Sequence, residues 1–317
     1  MEILWIAVFA VLVGGYFVLE GFTIGVGVLL PVVARTERER ATAVAGIGPF
    51  FLGNEVWLVA VVGVLFGVFP ELEGRLLAGL YPVVVLFLVA WVLRSAGLWM
   101  RARGESAAWR AVWDTAITAG SVLMAAMWGV ALANAAAGLP AEPGTPMPGL
   151  LHPYALLGAV TMVAVLAAHG AAFLAGRVAD TPGERAAKLL VRLPMAALAV
   201  LAVAALGAPM AGGRVDLWWI GAGAILMVAA LATLRAAALV RGGGGGAFGY
   251  TAVAAAAPAL AVVTGALGVL QAHAAPQPTL LVLTLTAGPV LPLLALAQVW
   301  LWRTFWGVVD RTTASYL

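Results

Sequence analysis

Long uninterrupted apolar runs constrain this chain more than any other feature of its sequence. An α-helix rises about 1.5 Å per residue, so about 20 apolar residues cross a ~30 Å hydrocarbon core. Nine stretches reach that length: Ile3 to Leu30, Ile47 to Phe69, Leu76 to Trp99, Ala111 to Leu139, Leu151 to Gly176, Leu189 to Met210, Leu217 to Leu239, Tyr250 to Leu270 and Leu280 to Trp302. A transmembrane barrel would show short segments of alternating polarity instead, so the spanning elements are expected to be helices. Only 10% of the residues are charged, against about a quarter in soluble domains, and no polar domain interrupts the runs. The chain therefore reads as an all-α integral membrane protein of about nine transmembrane helices. The first run opens Met1-Glu2 without a basic stretch and is too long for a signal peptide, so it is expected to stay in the mature protein.

Orientation follows from the basic residues. Connections after the first, third, fifth and seventh runs, counted with the adjoining run ends and the C-terminal end, hold 15 of the 17 lysines and arginines; Arg75 and Arg214 alone fall on the other side. The positive-inside rule then puts the N-terminus outside and the C-terminus in the cytoplasm, which an odd number of spans satisfies. Tryptophans at run ends, among them Trp5, Trp99, Trp109, Trp218, Trp219 and Trp302, read as interfacial anchors. The basic residues are dispersed among loops, which argues against nucleic acid as a partner. With no cysteine there is no disulfide, thiolate metal site or iron–sulfur cluster. Arg241 opens RGGGGGAFG, a flexible linker. A faint echo of Glu20-Gly21 in His169-Gly170, four runs later, suggests two parallel four-helix halves, 1–140 and 151–271, followed by a last helix at 279–306.

Few polar side chains lie inside the runs: Glu20, Asn54, Glu55, Asp114, Asn134, His169 and Gln298, with Arg94 near the inner end of the third. A charge at the centre of a span costs about 2.5–3.5 kcal/mol on insertion scales, so each needs a partner, water or a proton. Glu20 stands about 25 Å along the first helix, and Asn54 and Glu55 about 10–15 Å into the second, which puts all three at compatible depths on neighbouring helices. Burial disfavours a charged carboxylate unless a cation or water stabilises it, and such groups can relay protons. Plainer roles compete. Either glutamate can serve as an interhelical contact or pair with an arginine such as Arg94, and Asn54 can act as interhelical glue. Asp114, four residues after Arg110, suits an i, i+4 pair or an interface. His169 suits a satisfied polar contact, a proton relay or a haem ligand. The spacings Gly21/Gly25 and Gly63/Gly67 mark close helix packing. His152 and His273 sit at outer ends, so one interior histidine cannot serve a multi-haem chain, and any haems are expected elsewhere.

Together, FVLEGFTIGVGVLL (17–30), IGPFFLGNEVWLV (47–59), the Arg94 region with WRAVWDTAITAGS (109–121) and WGVALANAAAGLP (128–140) resemble subunit II of the cytochrome bd quinol oxidase family. The second is the most specific, close to the family's GPxWDGN(E/Q)VWL. Three positions depart from the pattern: Phe51-Leu52 replaces Trp-Asp, and Thr23 stands where an Asp is usual. The resemblance implies a haem-free subunit of a terminal oxidase that couples quinol oxidation to reduction of dioxygen to water in a bacterial or archaeal plasma membrane. Its partner would be subunit I, which carries haems b and d and the quinol site. No cofactor is expected on this chain alone, with room left for a bound quinone and a small single-span accessory subunit. Glu20, Glu55 and Asn54 would then line a proton path, with Trp57, Arg94, Asp114 and His169 as supporting polar or packing residues. A reading from another class is an ion-coupled secondary transporter with parallel repeats, in which the two glutamates bind the ion and the first helix breaks near Gly21 to Gly27. A purely structural subunit is a third.

Overall fold

The computed structural model describes residues 1–138, 145, 147, 149–192, 217–307 and 309. Its regular elements are helices: α1 (Glu2–Val33), α2 (Glu37–Val68), α3 (Pro70–Gly79), α4 (Tyr81–Met100), α5 (Ala107–Ala137), α6 (Pro153–Arg177), α7 (181–192 of the described residues), α8 (Leu217–Arg241), α9 (Ala247–Gly265), α10 (Leu267–Ala272), α11 (Gln277–Thr286) and α12 (Val290–Phe305). Seven of them are long and apolar enough to cross a membrane, and the pair α11 and α12 would make an eighth span. Most of the expected sixth run, Leu189 to Met210, lies outside the described residues. The protein is thus a multi-pass, all-α membrane protein.

Local chemistry sets the helix ends. At α2 the Thr36 hydroxyl accepts from Glu39 N–H while the Glu39 carboxylate accepts from the Thr36 and Arg35 N–H groups, a reciprocal cap that turns the chain sharply back from α1. Ser106 caps α5 through Trp109 N–H, and His152 Nδ1 caps α6 with Pro153 next in line.

Helix α1 runs unbroken from Glu2 to Val33, so the break near Gly21 to Gly27 that a transporter site needs is absent. It lies at the centre and packs on α2, α5, α6 and α9, while α4 leans on α5 and α8 on α9. Glycine permits the closest crossings. A Cβ on Gly25 would fall 1.8 Å from the Leu166 carbonyl oxygen, and one on Gly129 would fall 2.1 Å from that of Gly158, so α6 meets α1 and α5 backbone to backbone. Gly21 likewise faces Leu166 and His169. The expected Gly63/Gly67 contact is only half there: Gly63 faces open space and Gly67 meets Leu283.

Three expectations need correction. The third run is not one helix, because Leu80 separates the short α3 from α4. The last run bends by 41° between α11 and α12, where Gly288 and Pro289 interrupt it. Trp5 is no interfacial anchor, since it is buried in the core with Nε1 donating to Thr284 Oγ1 at 3.0 Å.

Candidate functional site

The site begins with the spacing of three residues on α4. Trp91, Arg94 and Ser95 stand at i, i+3 and i+4, so they share one helix face. That face reaches both acidic residues singled out above. Arg94 Nη1 lies 2.7 Å from Glu20 Oε1 of α1, and neither side chain is more than 1% exposed. Arg94 Nη2 also donates to Thr23 Oγ1 at 2.7 Å, and that hydroxyl donates in turn to the Glu20 carbonyl at 2.9 Å. The position where an aspartate was expected therefore carries a neutral oxygen that receives the arginine. Glu55 of α2 accepts from Trp91 Nε1 at 2.7 Å and from Ser95 Oγ at 3.0 Å. It is only partly buried, with Leu52, Val56 and Val59 exposed beside it on α2. Glu20 and Glu55 are close enough for their charges to interact.

Asn54 faces elsewhere. Its Nδ2 donates to the Leu19 carbonyl at 2.7 Å and its Oδ1 accepts from Gln298 Nε2 at 2.8 Å, which ties α1, α2 and α12 together. Trp57 completes this link by donating to Gln298 Oε1 at 3.2 Å, with its ring against Gly15. Asn54 and Trp57 are thus interhelical fasteners. Asn134 plays a like part, donating to the Val130 and Leu150 carbonyls.

His169 is fully buried and both ring nitrogens are taken. Nε2 lies 2.9 Å from the Val18 carbonyl and Nδ1 lies 2.9 Å from Thr251 Oγ1. A carbonyl only accepts, so Nε2 carries the proton, and Nδ1 shares the single Thr251 hydroxyl hydrogen with the Phe248 carbonyl 3.0 Å away. The ring also stacks on Phe248 with centroids 4.7 Å apart. This histidine offers iron no free nitrogen. Among the described residues no group of three His, Cys, Asp or Glu side chains could hold a metal ion.

Asp114 does not pair with Arg110. It accepts from Arg101 Nε, with Arg40 Nη1 at 3.4 Å, whereas Arg110 pairs with Glu37 at 3.2 Å. Arg101 also reaches Glu37 at 2.8 Å, so these five charges knit the α1–α2 and α4–α5 connections at one end of the bundle. Arg185 and Glu39, 2.9 Å apart, add the connection after α6.

Sequence reasoning missed Trp91, Ser95 and Thr251 as partners. The spacing of Trp91 and Ser95 about Arg94 was a visible signal for the first two; Thr251 carried none, because its role depends on where α9 crosses α6. Also unforeseen was Arg177, buried among Phe50, Phe173 and Trp306 with its guanidinium 4.9 Å from the Phe50 ring centre.

The profile of the family described as cytochrome bd terminal oxidase subunit II matches residues 1–305. The chain belongs to this family. It is 34% identical over 194 residues to a Haemophilus influenzae protein named "Probable cytochrome oxidase subunit 2". Identity is 32% over 210 residues with the cytochrome bd ubiquinol oxidase subunit 2 of Bacillus subtilis, and 31% over 214 residues with the cytochrome bd-I ubiquinol oxidase subunit 2 of Escherichia coli K12. These alignments cover 59%, 65% and 65% of this chain and 51%, 62% and 56% of those proteins, so the chain spans little more than half the length of the relatives it matches. A subunit II of this family thus carries a buried glutamate–arginine pair at its centre and a second, half-buried glutamate on its α2 face.

Proposed function

We propose that this chain is the haem-free subunit II of a bd-type quinol oxidase of the plasma membrane. In that role it docks against and stabilises a haem-bearing subunit I, supports quinol oxidation coupled to reduction of dioxygen to water, and delivers cytoplasmic protons toward the partner. The basic end of the bundle faces the cytoplasm in this reading. One observation carries it beyond family membership: α4 holds Glu20 and Glu55 side by side, one fully enclosed and one open to the outer face of the subunit. An enclosed carboxylate beside an arginine can hold a proton or release it, according to the charge around it. The second carboxylate, half-buried among exposed apolar neighbours, is placed to pass that proton across a subunit boundary. Quinone, haems and any accessory chain belong to the partner side of this assembly in this reading.

Purification in mild detergent tests the assembly. The chain is expected to come out with a multi-histidine membrane partner and the absorption bands of haems b and d, and to bind no haem when produced alone. In the assembled oxidase, Glu20→Gln and Glu55→Gln are each expected to slow oxygen consumption while the haem spectrum stays unchanged. Full turnover in both variants would remove the proton role.

A further inference from the structure

We propose that protons reach Glu20 through the seam between α1 and α5, starting from a groove at the basic end of the bundle and passing the hydroxyls of Thr118 and Ser121. The proposal rests on the reading of Glu20 as a proton relay and adds the route that feeds it.

The groove has a volume of about 390 Å³, enough for several waters, and is lined by Leu30 and Pro31 of α1, Arg40 of α2, and Asp114, Thr115 and Thr118 of α5. Asp114, Thr118 and Ser121 fall at i, i+4 and i+7, one stripe of α5 that climbs about 10 Å from the groove into the bundle. Glu20, Thr23 and Gly27 form the matching stripe of α1 at i, i+3 and i+7. The stripes meet where a Cβ on Gly27 would fall 2.0 Å from Ser121 Oγ. Arg94 closes the upper end, since its own Cβ is 2.8 Å from where a Cβ on Gly120 would be, one residue from Ser121.

Polar atoms along this seam lack protein partners. Ser121 Oγ is buried without a hydrogen bond, as are Nε of Arg94 and both carboxylate oxygens of Glu20, apart from the ionic contact with Nη1. Pro31 has no N–H, so the Gly27 carbonyl loses its helical donor at the height of Ser121. Buried polar groups are nearly always satisfied, by ordered water where the protein does not do it. A file of waters from the groove past Ser121 to Glu20 satisfies all of them at once. A hydroxyl donates and accepts, so Thr118 and Ser121 each take up one proton as they release another and keep no net charge.

The test uses the oxidase assembled with its haem-bearing partner, at saturating quinol, with oxygen consumption measured in H₂O and D₂O. Thr118→Val with Ser121→Ala removes both hydroxyls at nearly constant volume. The pair is expected to slow turnover at least about tenfold, or ~1.4 kcal/mol on the barrier, to raise the solvent isotope effect and to leave the haem spectrum unchanged. Thr118→Ser keeps the hydroxyl and should retain turnover; a fall as deep as that of Thr118→Val would overturn the route. Added to Glu20→Gln, the double replacement should slow the enzyme no further, because both act on one path; multiplied losses would overturn it. If Glu20→Gln is slow and the double variant runs at the full rate, the seam is refuted while the Glu20 relay stands. If Glu20→Gln itself runs at the full rate, the relay falls and this route with it.

Discussion

At the scale of single residues, the central fact is an ion pair buried inside the helix bundle. Desolvating Glu20 and Arg94 costs several kcal/mol per ion, which their contact offsets only while both are present. Replacing Arg94 by Leu should therefore lower stability by about 3–5 kcal/mol, and Glu20→Leu/Arg94→Leu should lose less than either single change. Thermal unfolding of the purified complex, read as a double-mutant cycle, checks this; equal additive losses would mean that the pair is not coupled. Arg94 was legible as a partner because it is the one arginine inside the third apolar run. The partner of Asp114 was not, because sequence spacing offers Arg110 one turn away, while the fold offers Arg101 from another helix. A local rule lost there to tertiary geometry. Similarly, Asn54 and Glu55 are neighbours in sequence, yet successive helical side chains point about 100° apart, so one fastens α12 and the other faces α4.

At the scale of elements, hydropathy located the helices well, and residues 1–138 follow it closely. What it misread were the interruptions at Leu80 and at Gly288-Pro289, because an average over apolar residues does not register the direction of a helix axis. The signals were present: Pro82 follows the first break, and Gly-Pro is a strong turn dipeptide at the second. The glycine crossings were legible only in part, since GxxxG spacing says that a flat face exists and not that another helix fills it. This yields a contrast between two glycines. Gly25→Ala puts a methyl where the Leu166 carbonyl sits and is expected to cost more than the ~1–3 kcal/mol of ordinary overpacking, whereas Gly63→Ala meets nothing and is expected to be neutral. The yield of monodisperse complex by size exclusion separates them, and equal yields would contradict the α1–α6 crossing.

At the scale of the whole molecule, the charge asymmetry of the sequence reappears as a network. Glu37, Asp114, Arg40, Arg101 and Arg110 join two connections at one end, and Glu39 with Arg185 joins a third. The proposed orientation can be checked with the chain's own lack of cysteine as a clean background. A cysteine at Glu73 is expected to react with an impermeant maleimide on intact cells, and one at Arg103 only after permeabilisation; the reverse pattern would invert the orientation. The all-α, multi-pass architecture was legible at this scale, but not which helix is central, since apolarity alone does not tell a helix packed on helices from one facing lipid, and the position of α1 comes from small residues that admit four neighbours. That position has a consequence for biosynthesis. α1 leaves the ribosome before α4, carrying Glu20, and the guanidinium that neutralises it arrives three helices later. During that interval the nascent chain must either keep the acid protonated or linger beside the insertion machinery, so the order of synthesis makes α4 the moment at which this subunit commits to the bilayer.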